Sequence, residues 1–188
     1  MIMAAKSKII GIVGMPASGK TTVAKRWEEK KGFRIHSGDF LLNYLKRIGV
    51  KPSEETSVMA SLYMWVEYGD IPVFNWIVRQ ISKYKNKKFY IIDSLRTVEE
   101  ARLFKRRYSD RFKLVAVVTS PENRFERFMK RARFKETSKL EFRLRDREEL
   151  RMGVGDLVAT ADYFIESSGS MADLKRKADS LLVKILKK

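Results

Sequence analysis

Residues 14–21 read GMPASGKT, and the octet sits between the apolar run KIIGIVG and a stretch of helical periodicity. It matches the pattern G-x-x-x-x-G-K-T/S in full. Gly14 and Gly19 permit backbone angles and close approaches that a Cβ blocks, so successive N–H groups can converge on phosphate oxygens. The helix opening near Gly19 adds its positive end, Lys20 is placed to reach β- and γ-phosphates, and the Thr21 hydroxyl is placed to ligate Mg²⁺. Gly14, Met15, Pro16, Ala17, Ser18, Gly19, Lys20, Thr21 and Thr22 are therefore the expected ATP-binding segment. A strand, glycine loop and helix in this order also call for a parallel sheet covered by helices.

The rest of the chain supplies that sheet. KFYIID (88–93), KLVAVVT (113–119) and DYFIES (162–167) repeat the short apolar, β-branched character of KIIGIVG, as strands buried on both faces do; FRIH (33–36) is a weaker fifth. Helical patterns lie between them. The expectation is a three-layer α/β P-loop NTPase fold with a five-stranded, mostly parallel sheet, in one domain over residues 1–188. From about 40 to 87 only helical material appears, a helical insertion between strands, and its Trp65 and Trp76 are expected in a small core of their own. Pro121 fits the first position of a helix in which Phe125, Phe128, Met129 and Ala132 form an apolar stripe. Ser170 and Asp173 make a capping-box-like start to a terminal amphipathic helix.

Composition narrows the chemistry. The 188 residues contain no cysteine and one histidine, which excludes disulfides, thiolate nucleophiles and zinc–thiolate sites and disfavours a histidine-based metal cluster. Forty Lys and Arg against 23 Asp and Glu give +17, a field that favours phosphate-bearing partners. A 34% share of charged residues also suits the surface ion-pair networks of a heat-stable protein. No apolar stretch is long enough to span a bilayer and the start is not a signal peptide, so a cytoplasmic, membrane-free protein is expected.

Asp93 ends the second buried run, where such folds place a carboxylate beside Mg²⁺, usually through water. Arg96 follows three residues later, with a guanidinium able to grip a phosphate bidentately.

GMPASGKT, HSGDFLL at 36–42 and DSLRT at 93–97, taken in order, resemble the nucleoside monophosphate kinases. The whole chain is similar to an archaeal family of adenylate-kinase-related proteins, and also to dephospho-coenzyme A kinases, through DSLRTVEEARLF, SPENRFERFMKRAR and RDREELRMGVGDLVATADYFIESSGS. The resemblance runs from Ile9 to about Leu182. It implies an acceptor-binding role for the helical insertion and a short lid over about 132–149. It implies acceptor binding by Ser37, Gly38, Asp39 and Arg96, and puts Arg127 and Arg131 at the lid base, by the adenine and the phosphates. Arg143, Arg145 and Arg147 are its candidates to close on the γ-phosphate. Ser167, Ser168 and Gly169 lie where the family wraps adenine with backbone atoms, whereas His36 is expected to be a strand-end residue. Two departures stand out: Leu42 occupies the place of an acceptor-clamping arginine, and Ser94 that of a glycine.

The reaction so implied is transfer of the γ-phosphoryl of Mg-ATP to a small phosphate-bearing acceptor, AMP first, with Lys20, Arg127, Arg131 and Asp39 as catalytic candidates and Thr21 and Asp93 on the metal. A hydroxyl acceptor, as in dephospho-coenzyme A kinases, makes Asp39 the candidate base. The rival from another class is an RNA-associated ATPase or binding module using the positive surface.

Overall fold

The computed structural model describes residues 7–52, 54–131 and 138–187. Strands β1 (Lys8–Val13), β2 (Phe33–His36), β3 (Phe89–Asp93), β4 (Phe112–Val118) and β5 (Tyr163–Glu166) form one sheet in the order β2-β3-β1-β4-β5. Every pairing is parallel. The helices are α1 (Lys20–Glu29), α2 (Gly38–Arg47), α3 (Glu54–Tyr68), α4 (Ile71–Lys83), α5 (Val98–Tyr108), α6 (Pro121–Arg131), α7 (Lys139–Arg151), α8 (Val154–Ala159) and α9 (Met171–Lys187).

The apolar runs of β1, β3 and β4 are explained by burial on both faces. Strand β5, expected to be buried likewise, is an edge strand with Phe164 56% exposed, because it has a neighbour on one side only. Along β1, Ile9 and Val13 enter one core while Ile10 and Ile12 enter the other. The second core is closed by α1 and α9, with Val23, Ala24 and Trp27 against Leu174, Ala178 and Ile185. The Trp27 Nε1–H donates to the Ala178 carbonyl at 2.9 Å, so the largest ring in that layer is buried without an orphaned donor. The first core is covered by α4, α5 and α8 through Ile77, Phe104, Val154 and Leu157. Each such fully buried aliphatic or aromatic side chain contributes roughly 1.5–3 kcal/mol of transfer free energy.

The helical insertion divides in two. Helices α2 and α3 share a small core of Leu41, Leu45, Ala60 and Met64, whereas α4 packs on the main sheet through Ile77. Trp76 is half-buried, but Trp65 is 44% exposed, outside the small core that the sequence suggests for it. Met59, Leu62, Tyr63 and Val66 of α3 are exposed as well, outside that core. The stripe on α6 is also narrower than expected. Phe125 and Phe128 meet Phe142 of α7 at 5.4 and 5.5 Å between ring centroids, while Met129 is 39% exposed beyond the edge of that contact. Ala132 lies outside the described residues. No helix among the described residues is long and apolar enough to cross a membrane.

Candidate functional site

β1 stops at Val13 and the chain enters its turn through Gly14 at φ 152°, where a Cβ would collide with the Val117 carbonyl. Gly19 takes φ 105° as the N-cap of α1, with no side-chain cap and no acidic residue in the first turn. The first amides of α1 therefore remain available at its positive end. The loop between them is drawn into a ring by Ser18 N–H donating to the Met15 carbonyl at 3.1 Å. Ala17 is at φ 61°, a left-handed angle costly for a residue with a Cβ.

Lys20 bends back over this ring, its Nζ donating to the carbonyls of Gly14 at 2.5 Å and Met15 at 3.0 Å. Burial pulls the ammonium down to about 8; the charges of Glu149 and Asp93 oppose the shift, and those of Arg96 and Arg124 add to it. Among the described residues this ammonium has two neutral carbonyls as hydrogen-bond partners, and burial disfavours its charged form.

Arginines of α6 clamp the loop from the side. Arg127 donates to Ser167 Oγ at 3.1 Å, to the Ser167 carbonyl, and to the Ser18 carbonyl at 3.5 Å. The Ser167 hydroxyl in turn donates to the Ser18 carbonyl at 2.5 Å. Arg127, Ser18 and Ser167 are thus brought together, joining the loop to the turn after β5. Ser168 and Gly169 lie exposed in that turn. The Arg131 side chain and residues 132–137 of the expected lid lie outside the described residues. From Lys139 the expected lid is the helix α7: Arg143 and Arg147 are exposed on it, and the Arg145 guanidinium stands 5.7 Å over the Phe128 ring.

Two arginines that the sequence reading passed over matter here. Arg124, buried, makes paired bonds of 2.6 Å to Asp146 of α7, lies 5.1 Å from the Phe142 ring centroid and reaches the Pro16 carbonyl at 3.4 Å. Its signal was its position three residues before Arg127 on the same helix. Arg34 on β2 donates twice to Asp93 Oδ2, at 2.9 and 2.6 Å. Asp93 is wholly buried, and among the described residues its Oδ1 accepts the Ser94 hydroxyl alone, at 3.2 Å. Ser94, in the place of a glycine, adopts φ 78°, and its carbonyl accepts the Ser37 hydroxyl at 2.8 Å. His36 does end β2, and Nδ1 lies 3.7 Å from Asp93.

Beside the loop an open cleft of about 480 Å³, part of it bulk solvent, separates α3 and the start of α4 from the start of α5. Ser37, Ser94 and Arg96 line it together with Trp65, Asp70 and Glu100. Gly38 begins α2 beside it; Asp39 and Leu42 are exposed on that helix and do not line the cleft. The Arg96 guanidinium lies 3.7 Å from Glu149 of α7. Glu100 completes a capping box: its Oε2 accepts the N–H groups of Arg96 at 2.9 Å and Thr97 at 3.3 Å, and its own N–H donates to the Thr97 hydroxyl. Burial pushes the Glu100 carboxyl up to about 7 against those bonds.

The sequence profile described as AAA domain matches residues 10–152, from β1 to the end of α7. A UPF0200 protein of Methanothermobacter thermautotrophicus is 32% identical over 96% of this chain and 92% of its own length. The chain belongs to the UPF0200 family of AAA-domain proteins. Another UPF0200 protein, from Thermococcus onnurineus, is 30% identical over 95% of this chain and 98% of its own. Among solved structures, TT1252 from Thermus thermophilus superposes with a TM-score of 0.67 at 19% identity, covering 95% of this chain and 97% of that one. A gluconokinase from Sinorhizobium meliloti gives 0.60 at 14% identity, covering 97% and 94%. Shikimate kinase from Acinetobacter baumannii gives 0.58 at 16%, covering 97% and 95%. This UPF0200 chain therefore has a P-loop kinase-like fold.

Proposed function

We propose that the protein is an ATP-dependent phosphotransferase of the nucleoside monophosphate kinase type, passing the γ-phosphoryl of Mg-ATP to a small phosphate-bearing acceptor, AMP or another nucleotide. The observation that carries this reading is the junction of loop and cleft. Lys20, held in the glycine loop, feels the charges of Arg96 and Glu149, and Arg96 lines the cleft next door. A donor phosphate on the loop amides and an acceptor phosphate on Arg96 would then face each other. The P–O bond to the β-phosphate breaks as the bond to the acceptor oxygen forms, and the protein supplies alignment and charge neutralisation. The kinase names of two structural neighbours point the same way.

Lys20 would follow the transferring group, while Arg127 and Arg131 would neutralise charge from the α6 side. Among the described residues no cluster of three or more acidic or histidine side chains could hold a metal unaided. The donor set fits an ion that arrives with ATP: the Thr21 hydroxyl would hold Mg²⁺ together with the phosphates, and Asp93 would reach it through water from its lightly engaged Oδ1. Bound there, Mg²⁺ would neutralise developing charge on the β- and γ-oxygens. Asp39, exposed and away from the cleft lining, is poorly sited as a base, which favours a phosphate acceptor over a hydroxyl.

A coupled assay on Lys20→Ala tests the donor half, with circular dichroism as the folding control. Turnover is expected to fall by ~10²-fold or more, the usual effect of losing one group that stabilises transition-state charge. Titration of Arg96→Ala tests the acceptor half: AMP should weaken by roughly 10- to 100-fold, one charge-assisted contact, with ATP nearly unchanged. Unaltered turnover in a folded Lys20→Ala protein would remove the kinase reading.

A further inference from the structure

The cleft is not built for a phosphate throughout. Among the described residues Arg96 is the one cation in its lining, and two carboxyls, Asp70 and Glu100, line it as well, at the N-terminal ends of α4 and α5. A dianion placed against them would be repelled, so a phosphate belongs at the Arg96 end. The remaining lining is apolar and in part flat: Trp65, with Leu41, Met64 and Val73.

Asp70 is in an unusual position. It is the N-cap residue of α4, yet its side chain makes no capping hydrogen bond. An Asp at this position normally accepts an N–H of the first turn, which stabilises a helix by about 1 kcal/mol. Here the carboxyl lines the cleft beside Thr97, partly buried, and burial holds its pKa above the ordinary carboxylate range against the lowering effect of a hydrogen bond from the Thr97 side chain. Glu100 is 5% exposed and spends Oε2 on two backbone amides. Ionised carboxylates only accept hydrogen bonds, so whatever lies against this pair must donate. A ligand with donors would also hold both groups in the charged form that burial disfavours.

Resting on the kinase reading above, we propose that the acceptor is a nucleoside monophosphate whose base presents two adjacent N–H donors, as guanine does with N1–H and N2–H₂. The base lies along the Trp65 side of the cleft with its donor edge toward Asp70 and Glu100, and its phosphate lies at Arg96. Adenine presents an acceptor, N1, beside its amino group, and that acceptor would meet a carboxylate. Hypoxanthine keeps N1–H and lacks the second donor.

Calorimetric titration of the full chain with GMP, IMP, AMP and UMP, each in the presence of a non-hydrolysable ATP analogue, tests this directly. GMP should bind tightest, IMP about 10-fold weaker for the one lost donor, and AMP weaker than IMP. Asp70→Asn replaces an acceptor-only group with an isostere and removes no helix cap. It should cost GMP ~10-fold or more and leave the ATP analogue's affinity unchanged. AMP binding as tightly as GMP, or an unchanged ranking in Asp70→Asn, overturns the base assignment while leaving a monophosphate kinase standing. Failure of every monophosphate to bind a protein that still binds the ATP analogue overturns the assignment together with the acceptor reading beneath it.

Discussion

Lys20 is where residue-scale physics is most exposed to test. Its folded-state pKa, near 8 in place of the model-peptide 10.5, arises chiefly from burial, and phosphates placed against it would raise that value again. The sign follows. Below pH ~8 both the free and the ATP-bound protein carry the proton, and affinity is flat; above it the free protein has lost the proton and must take one up to bind. ATP affinity should therefore fall as pH rises from ~8 to ~9.5, approaching tenfold per unit, with proton uptake visible as a buffer-dependent calorimetric enthalpy. Affinity unchanged over that range, without proton uptake, would place the ammonium away from the phosphates. The tight loop explains why a lysine is required: the carbonyls of Gly14 and Met15 hold the side chain over the ring before any ligand arrives.

At the scale of elements, α5 stores a second titration. Glu100 sits near 7 when folded and near 4.5 in its ordinary state, so the folded protein binds more protons between those values. Stability from this group is full below pH ~4.5 and is lost as pH rises through ~7, a total of about 3 kcal/mol. Glu100→Gln keeps an oxygen for the amides of Arg96 and Thr97 and removes the titration. Urea unfolding of the variant should show a flatter stability profile over that window, and an identical slope in both proteins would assign the proton elsewhere. The pattern T-V-E-E at 97–100 announces this capping box in the sequence. The central strands β1, β3 and β4 were legible because burial on both faces writes continuous apolar runs, and the glycine loop because its residue types are fixed by the turn they must make. The Arg34–Asp93 pair was not, since it depends on β2 lying beside β3, with His36 in register with Asp93. Strand order leaves no local mark. Nor could periodicity say that α4 belongs to the main core while α2 and α3 do not: Ile77 and Leu45 sit on equally amphipathic helices, and only the tertiary partner differs.

For the whole molecule, the division of the insertion sets what can move. Many acids near the sheet and the loop are already engaged by arginine or lysine, as in Arg26–Asp179, Arg34–Asp93 and Arg124–Asp146, which fixes α9, β2 and α7 to their neighbours. Among the described residues, helices α2 and α3 share a small apolar core of Leu41, Leu45, Ala60 and Met64 with Phe40 and Tyr44 against them. At the junction with α4, Gly69 adopts φ 61° with open space where a Cβ would be, a position free to absorb a backbone rotation. Beyond it α4 is held to the sheet by Ile77, which is completely buried. The proposed phosphoryl transfer would require water to be excluded once both substrates are seated, and the cleft between α3 and α5 is open. The expected motion is therefore a closure of α2 and α3 as one body over the cleft, with α4 left in place. Hydrogen exchange with an ATP analogue and GMP together should raise protection across 38–68 and leave 71–83 unchanged, and the ATP analogue alone should do much less. Equal protection of 38–68 in the free and doubly liganded protein would mean a rigid cleft, and protection rising equally through 71–83 would move the hinge to the far side of α4.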